Sequence, residues 1–120
     1  MRLGLVGGVL GALAVAAGAF GAHGLSGRLP PAAVAAFETA ARYQLIHSLA
    51  IVLAAERAAR GPNRAAAIAG NIFIAGILLF SGSLYAHALG GPDALAMMTP
   101  FGGLTFMSGW LVLAWSYRAG

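Results

Sequence analysis

An all-α membrane protein, folded as a bundle of four transmembrane helices, is the architecture this 120-residue chain predicts. Three observations lead there. Hydrophobic residues make up 60% of the chain and charged residues only 8%, far below the roughly 25% charge with which a soluble domain covers itself. The apolar residues gather into four stretches, at about 3–22, 31–55, 65–89 and 100–117. Each is near the roughly 20 residues that carry a helix, at about 1.5 Å per residue, across a hydrocarbon core about 30 Å thick. The joining segments are short, so a single transmembrane domain, residues 1–120, takes the whole chain and leaves no extramembrane domain.

The first span holds no ionisable side chain. Gly4 and Gly8 are one helical turn apart, as are Gly7 and Gly11, and Ala14, Gly18, Gly21 and Ala22 continue the small surface. Lipid supplies no hydrophobic drive between helices, so small residues that let backbones approach mark a packing face. That face serves either within one chain or between chains. Arg2, the apolar run and Ala19-Phe20-Gly21-Ala22 also have the layout of a cleavable signal segment. The packing face favours a retained helix. Pro30-Pro31 opens the second span, because proline suits the first helical turn. Gly61-Pro62 stops it, and Asn63 is placed to cap the third. Gly90-Gly91-Pro92-Asp93 breaks the chain after the third span, and Thr99 before Pro100 reads as a cap and first residue of the fourth. Gly102, Gly103, Thr105 and Gly109 give that last span a shorter groove.

Arginine placement orients the bundle. Arg2, Arg57, Arg60, Arg64 and Arg118 fall on one side of a four-span arrangement, and Arg28 is the lone loop arginine on the other, a surface that Arg42 is also within reach of. Short loops rich in positive charge stay in the cytoplasm. Both termini are therefore expected inside, in a multi-pass protein of a bacterial inner (plasma) membrane; the bacterial source follows from heavy use of alanine and of arginine without lysine. The lipid bilayer is the expected partner, with a homo-oligomer or larger membrane complex as a further one. Scattered arginines without a dense run argue against nucleic acid. The absence of cysteine removes disulfides, thiolate nucleophiles and sulfur-rich metal sites.

Polar residues inside a span are expensive, and so they are informative. Glu38 and Arg42 stand one turn apart in the order that favours a helix ion pair. On a helical wheel Thr39, Tyr43, Gln44 and His47 form one polar stripe roughly opposite that pair. His47 is the deepest titratable group, and desolvation favours its neutral form. It reads either as a structural histidine bonded to a neighbour or as a proton relay or ligand contact. From the third span, Ser81 and Tyr85 share one face, and Ser83 and His87 another. Ala22-His23-Gly24-Leu25 and Ala86-His87-Ala88-Leu89 form a candidate repeat of two parallel hairpins, which would place His23 and His87 at equal depth near the outer surface. No carboxylate cluster accompanies them, so no metal is expected. Phosphate-binding loops, nucleophile elbows and zinc-protease motifs are missing, and neither a catalytic residue nor a cofactor is predicted.

Several strings carry a resemblance. They are Gly-Ala-Phe-Gly-Ala-His-Gly-Leu at 18–25, Phe37-Glu38-Thr39-Ala40 running into Tyr43-Gln44-Leu45-Ile46-His47, and Phe80-Ser81-Gly82-Ser83-Leu84-Tyr85. Thr99-Pro100-Phe101-Gly102-Gly103 and Gly109-Trp110 complete the set. Together they resemble the YgdD-type family of small membrane proteins, whose eukaryotic relatives are small mitochondrial transmembrane proteins. The resemblance implies a four-span protein of a family of unknown function, without an agreed substrate, cofactor or catalytic residue. His87 lies outside the matching strings. On the chain's own chemistry, the leading expectation is a non-enzymatic accessory, assembly or scaffolding component of a membrane complex. One alternative is a proton or small-solute transporter acting as an oligomer; a second is an intramembrane lipid or quinone binder or enzyme using His47.

Overall fold

The computed structural model describes residues 2–118. Among them the chain forms four helical rods and no strand. The first begins as α1 (Leu3–Ala19) and ends in wider i→i+5 turns, π1 (Phe20–Leu25). Glycine permits that ending: a Cβ on Gly24 would lie 2.6 Å from the Phe20 ring, and one on Gly21 would lie 3.0 Å from Phe37. The second rod is α2 (Pro31–Ala59), which starts on its proline as expected. The third runs through α3 (Arg64–Gly76), a second wide-turn segment π2 (Ile77–Ser81), and α4 (Gly82–Ala88). Asn63 caps α3, its side chain accepting the Ala66 N–H at 3.1 Å. Gly90 then turns the chain at φ +102°, and a short 3₁₀ segment (Asp93–Met97) leads into α5 (Thr99–Trp115).

One cap differs from expectation. Thr99 does not cap α5: it lies inside the helix, and its hydroxyl is instead 2.6 Å from that of Ser83. The candidate repeat also finds no support in the wide turns. If His23 and His87 were equivalent, the wide turns at Phe20–Leu25 would recur at 84–89, but they are found at Ile77–Ser81.

The second rod is the most polar and the most surrounded, with α1, α3 and α4 packed on it; α5 packs on α3 and π2. Phe73, Ile51, Ala54, Ala69, Phe106 and Leu113 lie in the main core. Leu25, Phe37 and Ala88 make a smaller one where π1 and α4 meet α2. Large apolar side chains line the outside instead of the inside, with Leu49 and Leu111 each 71% exposed. In water such a surface would aggregate; in hydrocarbon it is solvated. Three rods, Leu3–Leu25, Arg64–Ala88 and Asp93–Trp115, are long and apolar enough to cross a membrane. The α2 rod is as long but carries Glu38, Arg42, Glu56 and Arg57.

The glycine face of α1 divides. A Cβ on Gly7 would meet Val52 at 2.9 Å and the Ser48 carbonyl oxygen at 3.1 Å, and Gly4 and Gly11 also face α2, toward Ala55 and Ser48. These three pack within the chain. Gly8 has open space beyond it. In the other half of the molecule Gly109 accommodates the Phe73 ring, and Gly102 lies directly against the Phe80 backbone.

Candidate functional site

The polar side chains of α2 divide between two interfaces. Gln44 faces α1 and α4: its amide donates to the Leu10 carbonyl at 2.8 Å, and its carbonyl oxygen accepts the Tyr85 hydroxyl at 2.7 Å. A glutamine has both a donor and an acceptor, and here each reaches a different helix. One turn further, the buried Ser48 donates to the Gln44 backbone carbonyl at 2.6 Å. Ser81, at the end of π2, donates to the Ala40 carbonyl at 2.7 Å and so ties the wide turn to α2.

His47 faces the other way. Its Nε2 accepts the Trp110 indole N–H at 3.0 Å, and its Nδ1 lies 2.7 Å from the Tyr43 carbonyl. An indole nitrogen only donates, so Nε2 is the bare nitrogen and Nδ1 carries the hydrogen donated to Tyr43. Aromatic rings enclose this neutral imidazole. Phe106 stacks on it with centroids 3.5 Å apart and planes 8° from parallel, and Phe73 lies at 5.6 Å. The single polar stripe expected from the helical wheel is therefore two faces, because Gln44 and His47 point to different neighbours.

The expected ion pair is not formed. Among the described residues only His87 and Asp93 come within ion-pair distance, at 3.1 Å. Glu38 is half-buried beside Gly21, where a glycine Cβ would come 3.4 Å from its Cγ, while Arg42 is exposed. The two side chains serve different neighbours: Glu38 lies against Gly21 of the first rod, where no side chain competes for the space, and Arg42 lies on the α5 side. Instead of standing opposite the His47 face, Arg42 lines the same cavity as Tyr43 and His47. Thr39 is half-buried. His23 is exposed at the end of π1, and His87 is engaged with Asp93, so the two do not act as a matched pair. Among the described residues no three His, Asp or Glu side chains gather where a metal ion would need them.

That cavity, about 420 Å³, lies between α2 and α5, and its lining is mostly aromatic and aliphatic. It exists because α5 packs on α3 and π2 and reaches α2 through side chains, chiefly Phe106 and Trp110. Trp110, Phe106, Ser48 and Thr99 belong to these contacts but are not among the sequence-predicted site residues. For Phe106 and Trp110 a signal was available, since two aromatics one turn apart share a helix face. The Leu10 and Ala40 carbonyls leave no trace in a sequence.

Apolar rods whose polar groups bond inward to one another define a multi-pass α-helical membrane protein. The chain belongs to the DUF423 family, described as a protein of unknown function, whose family model matches residues 17–103. It is similar to a UPF0382 membrane protein of Haemophilus influenzae, 42% identical over 105 residues that cover 88% of this chain and 84% of that one. It is also similar to the UPF0382 membrane protein YwdK of Bacillus subtilis, at 36% identity with 91% and 89% covered. The UPF0382 inner membrane protein YgdD of Escherichia coli is 38% identical, with 88% and 80% covered. No solved structure matches the chain. The YgdD-type resemblance of the motif strings thus holds along the chain, and the expected inner-membrane location agrees with these relatives.

Proposed function

We propose that this chain is a single-domain, four-span protein with both termini in the cytoplasm, and that it serves a membrane complex as a non-enzymatic accessory, assembly or scaffolding component. One observation carries the reading: most of the polar groups buried between the rods are already engaged with protein partners. Gln44, Tyr85, His47, Trp110, Ser81 and Ser83 each spend their hydrogen bonds on a neighbouring helix or backbone carbonyl. A general acid or base must face its substrate. A transport path needs polar groups along a passage, and the cavity beside His47 is lined mostly by aromatic and aliphatic side chains.

The free surface supports the same reading. Gly8 has nothing against it, and with Gly7, Gly11, Leu45, Leu49 and Val52 it borders a shallow groove of about 200 Å³ between α1 and α2. A small-residue groove on a lipid-facing surface suits another transmembrane helix. The test is affinity purification of the tagged chain in mild detergent, with quantitative mass spectrometry of what accompanies it. A stoichiometric companion or second copy is expected, lost in Gly8→Leu and kept when the exposed Leu111 is changed to alanine. A chain that purifies alone as a monomer, with a deletion phenotype that Gly8→Leu rescues fully, would overturn the proposal.

A further inference from the structure

The cavity between α2 and α5 is lopsided, with a cation at one end and aromatic rings at the other. Contacts across the third rod give its direction. Tyr43 and Gly102 both meet Phe80, whereas His47 and Gly109 both meet Phe73, so α2 and α5 run parallel. The His47–Trp110 hydrogen bond closes one end, at the Phe73 level. Arg42 and Gly103 mark the other, about 8–10 Å away at the rise of a helix. Gly103 leaves open space where a side chain would stand. Among the described residues no carboxylate lies within 4.0 Å of Arg42, and Glu38 is turned toward Gly21. Tyr43 also lines the cavity, and its hydroxyl makes no hydrogen bond to a described residue.

A guanidinium on a membrane helix without a counter-charge is costly, and its planar fork matches a phosphate through two parallel hydrogen bonds. We propose that this cavity binds a phospholipid whose head group carries a net negative charge. Arg42 takes the phosphate, Tyr43 adds a hydroxyl beside it, and one acyl chain runs over Phe80 and Phe106 toward Trp110. The volume falls in the roughly 300–1,000 Å³ range of small-ligand sites. A zwitterionic phospholipid offers Arg42 the same phosphate but brings its own cation beside it, and a quinone would use the rings and leave the cation uncompensated. An inorganic anion would use the cation and leave the apolar walls empty. The site needs only the membrane setting; with the four-span topology proposed above, the Arg42 end would face the outer leaflet.

The chain holds two tryptophans, so Trp115→Phe leaves Trp110 as the sole reporter. This variant is reconstituted in phosphatidylcholine vesicles with rising fractions of phosphatidylglycerol or phosphatidylcholine brominated on the acyl chains, and the quenching of Trp110 fluorescence is read. Brominated phosphatidylglycerol is expected to quench at about fivefold lower mole fraction, the scale of one arginine–anionic lipid attraction. Arg42→Gln should abolish the preference, and Arg42→Lys should keep part of it. Gly103→Leu, which fills the open end, should weaken quenching by both lipids. Equal quenching by the two lipids in the Arg42 protein, or a preference that survives Arg42→Gln, would overturn the proposal. Since the reading depends on neither leaflet nor partner, its failure would leave the scaffold role standing, and a solitary monomer on purification would leave this site standing.

Discussion

At the scale of single residues, the informative unit is a side chain that joins two helices. Gln44 does so with both ends of its amide, to Leu10 on α1 and to Tyr85 on α4. Hydrogen bonds between transmembrane helices average about 0.6 kcal/mol and reach about 1.7, because the chain unfolded in lipid also finds partners. Gln44→Leu should therefore lower unfolding free energy by about 1–2 kcal/mol, measured by steric trapping in bicelles. Tyr85→Phe removes only one of the two bonds and should cost less. A double-mutant cycle between these positions isolates their shared bond and should return about 0.6 kcal/mol; no coupling would mean that the tyrosine hydroxyl bonds elsewhere. Gln44, His47, Ser81 and Tyr85 stood out in the sequence because polar residues in an apolar run are conspicuous. Two acceptors were hidden, the backbone carbonyls of Leu10 and Ala40, which look the same in every residue.

At the scale of elements, the starts of the helices were the legible part. Proline at the head of α2 and asparagine before α3 act through local geometry, and both do in the fold what their chemistry dictates. The wide turns were not legible, since Phe-Gly-Ala-His-Gly-Leu and Ile-Leu-Leu-Phe-Ser are compatible with an ordinary α-helix until a neighbouring rod is in place. The π2 segment shows why: Gly102 of α5 lies directly against the Phe80 backbone, and Ser81 is turned to Ala40 on α2. Adjacent glycines of α5 then make a controlled comparison. Gly102→Ala places a methyl group into a backbone that cannot yield as a side-chain tip would, and a loss of about 1–3 kcal/mol is expected. Gly103→Ala meets nothing, and the better helix propensity of alanine should make it neutral or stabilising by up to about 1 kcal/mol. Thermal melts of the two variants in one detergent test the pair. Equal melting temperatures would mean that π2 and α5 do not approach so closely.

At the scale of the whole molecule, the question is what a rod as polar as α2 does in a bilayer. The other three rods qualify as spans on length and apolarity alone. If α2 lay along the surface instead, the loops at its two ends would share one side of the membrane. Its surroundings argue for a crossing: Gln44, His47 and Ser48 are buried, and the neighbouring Leu45, Ile46 and Leu49 are exposed, the pattern of a helix polar toward its partners and apolar toward lipid. The fold lies 50 Å along its longest axis, and 29 residues of α2 at about 1.5 Å each nearly fill that length. The chain has no cysteine, so each introduced thiol is the sole target for a label. Ser26→Cys and Ala94→Cys, on exposed positions at one end, should react with a membrane-impermeant maleimide in intact cells. Ala59→Cys and Gly61→Cys, exposed at the other end, should react only after the inner membrane is opened. Labelling of Ser26→Cys and Gly61→Cys from the same side would put α2 on the surface and strand Gln44 and His47 there. Opposite sides would carry the most polar rod through the bilayer on the strength of its neighbours, which turn its charges and amides into the means of assembly.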